Sequence, residues 1–115
     1  MVLVDGMQIS RDNFYSKDPT RPFVIRSLRK SSVRKKILEY LYDISPSSSY
    51  TSEIAYNVKT TSTNVIGAIR GMGARYKEEE SLEYLKIVEK VDSNTNIKLY
   101  KISDFGKEII ESLKR

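Results

Sequence analysis

The apolar positions change period along the chain, and the changes mark out its elements. Val33, Ile37, Leu41 and Ile44 recur at helical spacing with Leu38 beside them, one stripe of an amphipathic helix. Ser31 and Ser32 offer capping hydroxyls ahead of it, and Pro46 with the serine run at 47–49 ends it. A shorter helix follows, with Thr51 as cap, Glu53 in its first turn, and Ile54, Ala55 and Val58 on its buried side. Lys59, Thr60 and Thr61 make a turn. Thr61 or Ser62 then caps a third helix whose Val65, Ile66, Ile69 and Met72 gather on one side. The segment 81–85 has room for a turn or two of helix. The period then drops to that of strands over 87–91 and 97–102, two β-favouring runs around the polar turn 92–96. Ser103 or Asp104 caps a last helix carrying Phe105, Ile109, Ile110 and Leu113 on its inner face.

Residues 1–25 pattern differently. Two short apolar pieces lie on either side of Asp5-Gly6, a pair that accepts the positive φ values of a tight hairpin turn, and Pro19 and Pro22 are expected to break any helix. The expected organisation is an N-terminal arm over 1–25 and one folded body over 26–115, mainly α with a small β-hairpin. A length of 115 residues suits a single compact domain.

The residue types that are missing narrow the chemistry. With neither Cys nor His, the chain has no thiolate nucleophile, no zinc finger, no disulfide framework and no imidazole base. The acids Glu78, Glu79, Glu80 and Glu83 are dense but lie on a polar segment, and Gly71-Met72-Gly73 is too short for a phosphate-cradling loop. An enzyme is the least favoured class, and no cofactor or metal is expected. The apolar start at Val2 is interrupted by Asp5, so neither a signal peptide nor a membrane span is expected, and the default location is cytoplasmic.

The net charge of +5 is uneven: +4 over residues 1–43, +3 over 44–77 and −2 beyond. Arg26, Arg29, Lys30, Arg34, Lys35 and Lys36 fall within one stretch that holds no acid. One basic front suits a partner that is a polyanion, although a solvated helix face would read the same way.

Three helices, a hairpin and a closing helix is the order of a winged helix-turn-helix domain, whose second helix of the pair is the recognition helix. The segments RSLRKSSVR (26–34), YTSEIA (50–55), TNVIGAIRGM (63–72), SLEYLKIVE (81–89) and YKISDFGK (100–107) resemble the archaeal winged-helix transcription regulators. The resemblance implies that fold and a sequence-specific regulator of double-stranded DNA. One departure is Lys86, where that family usually has Gly; a left-handed backbone there costs a Lys about 1 kcal/mol.

The third helix can be read without the resemblance. At 100° per residue its outer face holds Thr63, Asn64, Gly67, Arg70, Gly71 and Ala74, with no acid. Arg reads guanine and Asn reads adenine through paired hydrogen bonds, so Arg70 and Asn64 are base-reading candidates, with Thr63 beside them. Gly67 and Gly71 are counted with the base-reading face because they would let the backbone approach a groove closely; the alternative is that they admit a neighbouring helix. Thr51, Ser52, Lys59, Thr61, Ser62, Arg75 and Lys77 are phosphate candidates, and Lys90, Asn94, Asn96 and Lys98 are wing contacts.

Tyr100 and Ile102 face the core in this reading, leaving Ile97 and Leu99 on the other side of the strand in need of cover. The expectation is a homodimer, with the arm and the last helix as candidate contacts. The competing function is a winged-helix module that binds protein in a transcription or assembly complex. Any small-molecule effector is left open, and would bind at a dimer interface or act through another protein.

Overall fold

The computed structural model describes residues 19–114; the expected hairpin about Asp5-Gly6 and most of the arm lie outside them. Among these residues, five α-helices and a small antiparallel sheet make up the fold.

The first helix, α1 (Arg21–Lys30), corrects the expectation that the prolines break any helix and that the first helix starts after Ser31. Pro22 stands in its first turn, where the missing N–H has no partner to lose and the fixed φ suits a helix. Val24, Ser27 and Leu28 are buried on its inner side. Helix α2 (Ser32–Ile44) follows after Ser31 alone, whose extended backbone separates the two and whose side chain accepts from the Arg34 N–H. It buries Ile37, Leu38 and Leu41, and also Arg34.

Strand β1 (Ser49–Tyr50) leads into α3 (Thr51–Val58). Thr51 is not its cap: Tyr50 holds that position without a side-chain bond, and Thr51 is the first helical residue. Lys59 ends α3 in left-handed geometry at φ 62°, turning the chain into α4 (Ser62–Arg70). Thr61 caps α4, its hydroxyl accepting from the Asn64 N–H at 3.1 Å. Gly71, at φ 89°, ends it.

The expected short helix over 81–85 is instead a 3₁₀ turn at Glu78–Glu80 followed by turns. This segment leans on α4, since the N–H groups of Leu82 and Glu83 donate to the carbonyls of Ala68 and Ile69 at 3.0 and 2.9 Å. Lys86 takes φ 64°, the left-handed geometry considered for it.

The wing strands are β2 (Val88–Val91) and β3 (Leu99–Ile102), paired Val88 to Ile102 and Val91 to Leu99. Strand β1 pairs on the other edge of β3, Ser49 to Tyr100, giving the order β1-β3-β2. The hairpin is therefore two strands of a three-stranded sheet. Two residues make β1, too short for a period to show.

Helix α5 (Asp104–Leu113) is capped by Ser103, whose hydroxyl accepts from Gly106 N–H and donates to the Lys86 carbonyl. Ile109 and Ile110 are buried, while Leu113 is 40% exposed and does not join the inner face expected of it. One core runs through all of this, from Val24 and Leu28 through Ile37, Leu41, Ile54, Val65 and Ile69 to Ile87, Tyr100 and Ile109.

Gly106 sits against the Ile87 carbonyl so closely that a Cβ would overlap it, and would stand 2.7 Å from Ile102 Cγ1. Since that backbone is fixed by the sheet, Gly106→Ala is expected to lower stability by about 1–3 kcal/mol, the range for overpacking. Urea denaturation monitored by circular dichroism measures it; an unchanged midpoint contradicts this account of the α5–wing junction.

Candidate nucleic-acid interface

Helices α3 and α4, with the left-handed turn at Lys59, form a helix-turn-helix. On α4, Val65, Ala68 and Ile69 are buried. Ile66 and Met72 are not part of that side: Ile66 is half-buried, and Met72 lies beyond the helix end and is 43% exposed. The outward strip is Thr63, Ile66 and Arg70, spaced i, i+3 and i+7. Ile66 was missed because an isoleucine beside Val65 reads as core, yet the same 100° arithmetic puts it nearest to Thr63 and Arg70.

The two glycines correct the sequence reading. Gly67 is buried under the Tyr76 ring, where a Cβ would stand 2.5 Å from Cδ2, and its place is taken by protein. Gly71 is the left-handed helix end, backed by Glu78, so it is not on a helical face at all. The glycines let the 72–77 turn fold back onto α4, the alternative in which they admit neighbouring structure. Ala74 likewise lies in that turn and not on the helix.

Asn64 is half-buried, its amide donating to the Thr60 hydroxyl at 2.9 Å. Arg70 is exposed at the last turn and lies by the buried Tyr100 of β3. Burial pushes the Tyr100 hydroxyl above its ordinary pKa; the Arg70 charge and hydrogen bond pull it down, and Glu83 adds to the rise. Burial thus keeps the Tyr100 phenol protonated beside the charged end of α4.

Ser52, at the start of α3, and Lys59, Thr61 and Thr63, about the start of α4, are exposed, while Thr51 and Ser62, each the first residue of its helix, are half-buried. The Thr61 hydroxyl is engaged as the helix cap. Lys90, Asn94, Asn96 and Lys98 are all exposed on the wing, whose tip is braced by Ser93 through its contacts with Thr95 and Ile97. Arg75 and Lys77 fall elsewhere. They sit on the turn past the other end of α4, Arg75 over the Tyr76 ring at 5.5 Å, lining a cleft with the start of α2.

The basic stretch over 26–36 divides. Arg26, Arg29, Lys30, Lys35 and Lys36 are exposed, but Arg34 is only 3% exposed. Lys30 Nζ pairs with Glu80 Oε2 at 2.6 Å. Among the described residues no group of His, Cys, Asp or Glu side chains could hold a metal ion, and no helix is long and apolar enough to cross a membrane.

Three core helices, a helix-turn-helix and a three-stranded wing define a winged-helix protein. The DNA complex of Staphylococcus aureus MepR shares the fold, with a TM-score of 0.60 at 16% identity over 83% of this chain and 73% of that one. A second structure of MepR, described as a transcription regulator of the multidrug efflux pump MepA, gives 0.58 at 15% identity over 83% and 67%. At these identities the likeness establishes the fold. The chain belongs to the EarA-like family, whose profile matches residues 24–113. A relative from the archaeon Methanocaldococcus jannaschii, the uncharacterised protein MJ0905, is 46% identical over 93 residues, 81% of this chain and 83% of that protein.

The Lys30 hydrogen bond holds the Glu80 carboxyl below the ordinary carboxylate range, with the charges of Lys30, Arg34 and Lys77 acting in the same direction and burial opposing. A lowered folded pKa contributes stability above the unfolded value and loses it as pH falls through the folded value. Glu80→Gln is therefore expected to cost from a few tenths to about 1 kcal/mol near neutral pH. The gap from the wild type should close in acid. Urea midpoints of both proteins across the carboxylate range measure it, and a gap that widens in acid contradicts the assignment.

Proposed function

We propose that the protein is a sequence-specific, double-stranded DNA-binding transcription regulator acting as a homodimer. The observation that carries this is the outward strip Thr63, Ile66 and Arg70, acid-free, on a helix otherwise sealed into the core. With α4 in a major groove, Thr63 and Asn64 stand at the end of the recognition helix that ordinarily meets base edges. Ile66 supplies an apolar contact for a thymine methyl, and Arg70, steadied by Tyr100, donates to guanine. Ser52, Lys59, Thr61 and Ser62 meet phosphates at the helix starts, with Thr51 beside them, and the wing lysines and asparagines grip the flanking backbone. The fold shared with a MepR–DNA complex supports the same docking. Gly67 and Gly71 have no place in base reading, since protein covers them.

The dimer reading draws on apolar side chains left outside the core on the first and last described helices: Phe23 of α1, 56% exposed, and Leu113 of α5. Two-fold pairing of these surfaces would set two α4 helices on adjacent half-sites. Sedimentation at micromolar protein should give twice the monomer mass, and a monomer there removes the dimer.

Selection of bound duplexes from a random pool at two salt concentrations should yield a two-fold related site whose affinity falls steeply with salt. Arg70→Ala should relax preference at one base pair by about 1–3 kcal/mol, whereas Lys59→Ala should weaken all sequences alike. Equal losses on selected and random DNA for both variants would argue against base reading by α4. Capture of one stoichiometric protein after nuclease treatment, with no selected DNA, would favour the protein-binding reading instead.

A further inference from the structure

Arg34 is the one basic side chain among those described that is buried, and its charge is poorly answered. Its Nη1 donates to the Ser27 carbonyl at 3.3 Å, its Nη2 stands 3.7 Å from Glu80 Oε1, and its Nε has no hydrogen-bond partner. Charge-assisted hydrogen bonds ordinarily close to about 2.7–2.9 Å, so the Glu80 contact is a loose one, and a buried guanidinium so held is short of negative charge. Glu80 is also shared, its other oxygen being taken by Lys30.

Arg34 lines a cleft of about 470 Å³ between the start of α2 and the 72–77 turn. That volume lies within the range of about 300–1,000 Å³ typical of small-molecule sites. Lys30, Arg75 and Lys77 stand around it with Arg34, against the single acid Glu80. Ser31, Ser32 and Val33 complete one wall, the first turn of a 13-residue helix. The Arg34 N–H is taken by the Ser31 hydroxyl and the Lys35 N–H by the Ser31 carbonyl, but Ser32 and Val33 stand where a helix offers its own N–H groups no acceptor. Free N–H groups, the positive end of a helix dipole and an under-neutralised guanidinium all select an anion.

We propose that this cleft binds a small phosphate-bearing ligand. The phosphate accepts from the α2 start and from Arg75 and Lys77, and supplies the charge that Glu80 gives Arg34 incompletely. The Tyr76 ring, between Arg34 at 5.6 Å and Arg75 at 5.5 Å, is one wall of the cleft and is also the ring that covers Gly67 of α4. The occupant therefore touches the side chain that seats the recognition helix, and every residue lining the cleft comes from one chain.

The test is a titration of the full chain with inorganic pyrophosphate, followed by ¹H–¹⁵N NMR at ionic strength held constant with chloride. Saturable shifts are expected at the amides of Ser32, Val33 and Lys77. The double variant Arg75→Ala, Lys77→Ala, altered only at exposed positions, should bind about tenfold more weakly. Glu80→Gln should bind about threefold to tenfold more tightly, because it removes a competing negative charge from a partly exposed site. A purely structural role for Glu80 predicts no tightening, so unchanged or weaker binding in that variant overturns the proposal. So do shifts that never saturate or that spread evenly over the basic surface. A short DNA duplex that moves the same amides and is displaced by pyrophosphate assigns the cleft to the DNA backbone and overturns the small-ligand reading. The titration contains no DNA, so its failure and the failure of the DNA-binding reading are separate results.

Discussion

A helix of nine residues does not hold itself in water, and α4 is the element on which the rest of this molecule converges. It is clamped on three sides. Val65, Ala68 and Ile69 enter the core, Tyr76 presses on Gly67, and the N–H groups of Leu82 and Glu83 bond the Ala68 and Ile69 carbonyls. The last of these contacts also fixes where the chain enters the wing. The position of the sheet relative to α4 is thus a consequence of how the end of α4 satisfies its carbonyls.

What the clamp leaves uncovered is narrow. Thr63, Ile66 and Arg70 form the side of α4 not spoken for, with Arg70 near the buried Tyr100 of β3. The polar tip of the wing is braced by Ser93.

The basic half of the chain serves two places. The exposed cations and the hydroxyls of α3 and α4 surround the outward strip, while Arg34, Arg75 and Lys77 gather with Lys30 at the opposite end of α4 around Tyr76. Linear charge counting merged the two groups. Only folding separates a guanidinium buried against Glu80 from lysines one and two residues further on that remain in water.

The sequence by itself determined the helices with sustained apolar stripes, the wing strands and, to within one residue, the caps at Ser31, Thr61 and Ser103, because each depends on residues a few positions apart. It also carried the resemblance that led to the fold. The start of α1 escaped it, since a proline that ends one helix opens another and only the burial of Val24 and Leu28 decides between them. Strand β1 escaped because two residues hold no period, and its pairing with β3 is made across the molecule. The glycines and Ile66 were decided by tertiary structure alone: whether a small residue faces a groove or a tyrosine depends on a turn that returns from nine residues downstream, and no local pattern records that return.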